Sequence, residues 1–160
     1  MNYHDFIWDL GGTLLDNYEM STNAFVATLK DFHIQANHDS VYAALKISTQ
    51  DAIATFAPHV SDFRTEYKKK EAIALQEPVL FDGAKELLEE IQLQGGRHFL
   101  VSHRDRQVLT LIDQTRIASF FTEIVTADEG FPRKPDPASM LYLKEKYGIQ
   151  DGLVIGDRPI

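Results

Sequence analysis

Apolar positions along the chain fall into two rhythms. Short runs at Phe6-Ile7-Trp8, Phe99-Leu100-Val101, Glu123-Ile124-Val125-Thr126 and Leu153-Val154-Ile155 read as strands, the continuous first run as one buried on both faces. Between them, apolar residues recur at helical spacing. Ala84, Leu87, Leu88 and Ile91 make one stripe, closed by Gly95-Gly96. Val108, Leu111 and Ile112 make a second, and Leu141 and Lys144 lie on a third helix that stops at Gly148. Strands alternating with helices predict a parallel sheet covered by helices, an α/β fold of the Rossmann-like kind.

One stretch breaks this alternation. From about Asn17 to Glu77 the pattern is helical throughout, with Phe25, Leu29 and Phe32, then Val41 and Leu45, then Ile53 and Phe56, then Val60, Phe63 and Tyr67 at helical spacing. Asp39-Ser40 and Ser48-Thr49 are read as N-caps. The expectation is a small bundle of about four helices over residues 17–78, inserted straight after the first strand, with residues 1–16 and 79–160 forming the sheet domain. An insert at that point is expected to sit over the C-terminal edge of the sheet, where open α/β sheets bind ligands.

Composition narrows the partners. The apolar fraction is 44% and the charged fraction 25%, ordinary for a folded globular chain of 160 residues. A net charge of −8 argues against general binding to nucleic acid or to an anionic membrane, both of which need a basic face. Cysteine is absent, which excludes disulfides, thiolate metal sites and cysteine nucleophiles. No apolar stretch reaches the ~18 residues of a membrane span, and the start Met1-Asn2-Tyr3-His4-Asp5 lacks a basic leader, so a cytoplasmic location is expected.

The residues just past the four strand ends carry the chemistry. They are Asp9, Ser102, the loop leading to Lys134, and Asp157. Parallel adjacent strands bring them to one edge, so two carboxylates, a hydroxyl and an ammonium converge. Carboxylates offer hard oxygens to Mg²⁺, and the hydroxyl and ammonium offer donors to phosphate. Each also has a plainer reading taken alone: a turn cap for Asp9 and Asp157, a turn hydroxyl for Ser102, a solvated lysine for Lys134. Lys68-Lys69-Lys70 reads as a solvated helix face, Trp8 as core packing, and the six histidines as scattered without zinc spacing.

Taken together the motifs resemble the haloacid dehalogenase superfamily. Phe6-Ile7-Trp8-Asp9-Leu10-Gly11-Gly12-Thr13 is similar to its first motif, an Asp-x-Asp-Gly-Thr pattern after an apolar strand. Ser102 resembles the second, Lys134 in Arg133-Lys134-Pro135-Asp136-Pro137 the third, and Gly156-Asp157 the start of the fourth. The helical insert resembles the cap of the phosphoglycolate phosphatase and β-phosphoglucomutase branch. The resemblance implies Mg²⁺-dependent hydrolysis of a small phosphorylated metabolite through an aspartyl-phosphate. Separately, a monomer or weak dimer is expected. In the phosphatase reading Asp9 is the nucleophile and Lys134 holds both it and the phosphoryl group. Gly12, Thr13, Ser102, His103 and Lys134 bind substrate, with backbone N–H groups of the Gly11-Gly12 turn and of His103 completing the oxygen cage. Asp9, the Gly11 carbonyl and Asp157 hold the metal.

Two departures follow from the same comparison. Gly11 stands where the family's second Asp protonates the leaving oxygen, which disfavours plain alkyl esters and spares acyl phosphates, aryl phosphates and halides. The family's further acid falls four residues after Asp157, past Ile160, so the last part of the sheet domain is expected to be missing. Two rival readings stand beside the phosphatase: a metal-independent dehalogenase using Asp9, and a domain that binds a phosphorylated ligand or a partner without turnover.

Overall fold

Residues 3–102, 104, 106–132, 134 and 136–156 are described by the computed structural model of the chain. Four strands, β1 (Asp5–Trp8), β2 (Arg97–Val101), β3 (Phe121–Val125) and β4 (Gly152–Ile155), pair in parallel in the order β3-β2-β1-β4. β1 is central and fully buried, with Trp8 opposite Leu100 on one side and Ile155 on the other. After β1 the chain builds β2 and β3 outward on one side, then returns to place β4 on the other. The direction of winding therefore reverses at β1. In open α/β sheets the crevice at the carboxyl end of such a strand is the usual ligand site.

Strand side chains alternate between two helical layers. Phe6, Trp8 and Leu100 point to one face, where α5 (Ala84–Leu93) and α6 (Gln107–Thr115) supply Ala84, Leu88, Ile91, Val108 and Ile112. Ile7, Phe99, Val101 and Val125 point to the other, against Leu143 of α7 (Ala138–Tyr147) and Ile149 beyond it. The α/β, Rossmann-like expectation therefore holds. The strands run slightly longer than their apolar runs suggest, because Asp5, Arg97 and Gly152 pair at the amino-terminal edge. There Arg97 donates from Nε and Nη2 to the two oxygens of buried Asp5, at 2.7 and 3.0 Å.

One polar link lies within the first of these layers. The Trp8 indole N–H donates to His98 Nδ1 at 2.9 Å, and His98 Nε2 lies 2.8 Å from the Leu88 carbonyl. An indole nitrogen can only donate, so Nδ1 accepts, the ring proton sits on Nε2, and the imidazole is neutral. Burial holds the His98 pKa below the usual imidazole value, against the hydrogen bond to Leu88.

Residues Asp16–Val79 form a second compact unit. Its helices are α1 (Asn17–Asp31), α2 (His38–Ile47), α3 (Thr49–Phe56) and α4 (Phe63–Ala74). Phe25, Leu29, Val41, Phe63 and Tyr67 are fully buried at its centre. Asp16 and Ser48 cap α1 and α3, accepting from Glu19 N–H at 3.0 Å and Asp51 N–H at 2.9 Å. The cap of α2 is Asn37, not the expected Asp39-Ser40. Asn37 has extended backbone, and its side-chain oxygen accepts from the N–H groups of Asp39 and Ser40, which are first-turn donors. The lysine run is paired residue by residue, Lys68 with Glu71, Lys69 with Glu66 and Lys70 with Asp31. Glu71 also accepts from Tyr67 Oη at 2.6 Å and Ser21 Oγ at 2.8 Å, tying α4 to α1.

Candidate active site

Asp9 follows the last residue of β1. Its N–H donates to the Ile155 carbonyl at 2.9 Å, which carries the β1–β4 pairing one residue further and delivers the carboxylate to the carboxyl edge of the sheet. The chain then wraps around one atom. The Leu10 carbonyl accepts from Thr13, Leu14 and Leu15 N–H groups at 3.2, 2.9 and 2.9 Å, while Gly12 N–H donates to the Leu15 carbonyl at 2.9 Å. Leu10, Leu14 and Leu15 are buried beneath the turn and anchor it. Gly12 has φ of 79°, a conformation that glycine adopts at little cost. Gly11 has no positive φ, so its backbone does not require a glycine.

This wrapping changes the expected oxygen cage. The N–H groups of Gly12 and Thr13 are committed within the turn, and among the described residues that of Gly11 has no backbone partner. The Thr13 hydroxyl oxygen is buried and without a partner among the described residues. The Gly11 N–H is thus the backbone donor of this turn left to meet a ligand.

Lys134 reaches Asp9 from 125 positions further along the chain. Its Nζ donates to Asp9 Oδ1 at 2.9 Å and to the Val101 carbonyl at 3.2 Å. The side chains are 17% and 25% exposed, so the pair is shielded on most sides but open on one. An ammonium has three donors, and these two bonds leave one for a ligand. Asp9 Oδ2 has no hydrogen-bond partner among the described residues.

Ser102 directly follows β2, with its N–H donating to the Val125 carbonyl at 2.9 Å, and is buried. Its oxygen accepts the Arg104 N–H at 3.2 Å, so its own proton is left to donate. On the opposite side of Asp9, Gly156 runs close enough that an added Cβ would lie 3.6 Å from Asp9 Cβ. The structure therefore brings Asp9, Lys134 and the end of β2 together, with the end of β4 beside Asp9. His103 and Asp157, assigned to substrate and metal in the sequence, lie outside the described residues, as do Arg133, Pro135 and Arg158. Among the described residues no three His, Cys, Asp or Glu side chains cluster as a metal would need.

Sequence reasoning passed over the turn after β3. Thr126 caps the single turn Ala127–Glu129, and Glu129 Oε2 accepts from the Thr126 N–H and Oγ1 at 2.7 and 2.6 Å. The signal was present as Thr-x-x-Glu, the pattern of a capping box.

The chain matches the family model "haloacid dehalogenase-like hydrolase" over residues 6–160. It belongs to that family. A hydrolase from Streptococcus pneumoniae TIGR4 has a crystal structure 63% identical in sequence, covering 100% of this chain and 86% of that one, with a TM-score of 0.95. A hydrolase of the same superfamily from Geobacter sulfurreducens shares the fold at 17% identity, over 98% of this chain and 79% of its own, with a TM-score of 0.71. Phosphoglycolate phosphatase of Pseudomonas putida is 33% identical over 82 residues, 49% of this chain and 30% of that protein. This haloacid dehalogenase-like chain spans about a third of the length of the first curated relatives it matches.

Proposed function

We propose that the chain hydrolyses a small phosphorylated metabolite in the phosphoglycolate phosphatase manner, with Asp9 as nucleophile and Mg²⁺ as cofactor. The observation that carries the reading is the 2.9 Å contact of Lys134 Nζ with Asp9 Oδ1 at the carboxyl end of the central strand. A cation fixed there offsets the repulsion between a carboxylate and a phosphate dianion. The presence of Pseudomonas phosphoglycolate phosphatases among the relatives supports a phosphate ester rather than a halide as substrate.

An Asp9 carboxylate oxygen attacks phosphorus. The O–P bond forms as the bond to the leaving oxygen breaks, giving an aspartyl-phosphate that water then splits to inorganic phosphate and free Asp9. Lys134, the Ser102 hydroxyl and the Gly11 N–H donate to the phosphoryl oxygens, with His103 as a further candidate. Mg²⁺ requires hard oxygens, and Asp9 Oδ2 is available as one. The Gly11 carbonyl and Asp157 are its proposed companions, and the ion supplies charge neutralisation at the phosphoryl group. We assign the helical segment 17–78 the choice of substrate, and the cytoplasm as the place of action.

The test is phosphate release from acetyl phosphate and p-nitrophenyl phosphate, with and without Mg²⁺, beside Asp9→Asn. Mg²⁺-dependent release that Asp9→Asn abolishes is the expected result. Folded protein that releases nothing from either compound sinks the reading, and metal-independent cleavage of a haloacid would put the dehalogenase in its place.

A further inference from the structure

The geometry points to Asp128 as a positioning residue that sets Ser102 from a different loop, an inference that rests on the phosphoryl-binding role given to Ser102 above. The turn Ala127–Glu129 is rigid in its own right. Besides the two bonds from Thr126 to Glu129, the Asp128 N–H is directed at Thr126 Oγ1, 3.4 Å away. From this fixed base two bonds reach across to the loop after β2. The Ala127 N–H donates to the Arg104 carbonyl at 2.8 Å, and Asp128 Oδ2 accepts the Arg106 N–H at 2.8 Å.

Those two bonds grip the loop at Arg104 and Arg106. Helix α6 starts at Gln107 with no side-chain cap at its N-cap residue Arg106, and Asp128 instead places a carboxylate on the Arg106 N–H at the helix start. The other end of the grip is Ser102. Its N–H is fixed to Val125, the residue leading into the Thr126 turn, and its oxygen accepts the Arg104 N–H. Arg104 is therefore held from the Ala127 side while it holds the Ser102 hydroxyl. Asp128 completes the clamp, and a carboxylate does so more firmly than a neutral acceptor because its hydrogen bond is charge-assisted. Nothing in this chain of contacts has Asp128 touch substrate; it acts on Ser102.

Steady-state kinetics with acetyl phosphate, and calorimetric binding of inorganic phosphate, test this on the full chain. Asp128→Ala should raise KM and weaken phosphate binding about tenfold, with a smaller change in kcat. Asp128→Asn should keep most of the wild-type behaviour, since its amide oxygen accepts the same N–H. Arg106→Pro should reproduce the Asp128→Ala defect, because it removes the donor at a φ of −60° that proline accepts, and it stands in if Asp128→Ala fails to fold. In a Ser102→Ala background, Asp128→Ala should cost less than about twofold more. Wild-type KM in Asp128→Ala, or an equal loss with and without Ser102, overturns the inference while leaving the phosphatase reading intact. If the wild type neither releases nor binds phosphate, the role of Ser102 falls and this inference falls with it.

Discussion

Lys134 and Gly11 sit on either side of one question, how much charge the site controls. Lys134→Met removes the cation beside Asp9 and should lower kcat/KM by about 10²- to 10³-fold, the cost of losing one preorganised donor. Phosphate release at saturating Mg²⁺ measures it, and wild-type rates would show that the contact is structural only. Gly11 invites the opposite experiment. Its backbone does not demand glycine, so Gly11→Asp adds a carboxylate two residues from Asp9 without strain in φ. Turnover of an alkyl phosphate should rise by about 10²-fold, with a smaller gain for acetyl phosphate, whose leaving group needs no proton. Equal gains on both substrates would mean that leaving-group protonation is not what Gly11 lacks. At this scale the places of Asp9, Ser102 and Lys134 at the carboxyl edge of the sheet were legible, because each follows a buried apolar run or a distinctive loop. The committed N–H groups of Gly12 and Thr13 were not. A carbonyl that gathers three donors is a property of the folded turn, and composition carries no trace of it.

At the level of elements, β1, β2 and α5 are joined by the Trp8–His98–Leu88 link, and it makes the sheet sensitive to acid. His98 binds its proton less readily folded than unfolded, so the unfolded chain holds more protons in the window just below pH 6.5. Stability is complete above that window and is lost as pH falls through it toward the folded-state value. His38 works in the reverse sense. Its pKa is raised, first by the hydrogen bond with Asp39 and further by Glu19, so its contribution is present below 6.5 and fades as pH rises. Urea titrations from pH 5 to 8 in a His38→Gln background should therefore show stability falling with acid. Replacing both Trp8 and His98 by Phe should flatten that slope, and a slope unchanged in the double variant would assign the effect elsewhere. Glu71 titrates in a lower window: burial alone would raise its pKa, but bonds from Tyr67, Ser21 and Lys68 outweigh burial and lower it. The strands themselves were readable from their apolar runs. The link was not, because Trp8 and His98 lie 90 positions apart and His98 reads as one of six scattered histidines.

For the molecule as a whole, the α/β unit and the helical unit each have a separate core. Trp8 is the single tryptophan and lies in the core of the α/β unit, so its fluorescence reports that unit while far-ultraviolet circular dichroism reports both. Phe25→Ala opens a cavity among Phe56, Phe63 and Tyr67 and should destabilise the helical unit by about 3–5 kcal/mol. The dichroism transition should move to lower urea while the Trp8 transition shifts less. Coincident transitions would mean the two units unfold as one.

The entry and exit of the helical unit lie side by side. Asp16 N–H donates to the Val79 carbonyl at 2.7 Å, and Leu15 pairs with Leu80 just below. The chain leaves the sheet domain and comes back to it at adjacent points, so bridging Leu15 to Leu80 with a short turn closes a small loop at little entropic cost. The segment between them is in effect a cassette. Grafting a different insert at the same two residues leaves the β1 turn and the strand register in place, and tests the proposed role of the segment in substrate choice without touching Asp9 or Lys134.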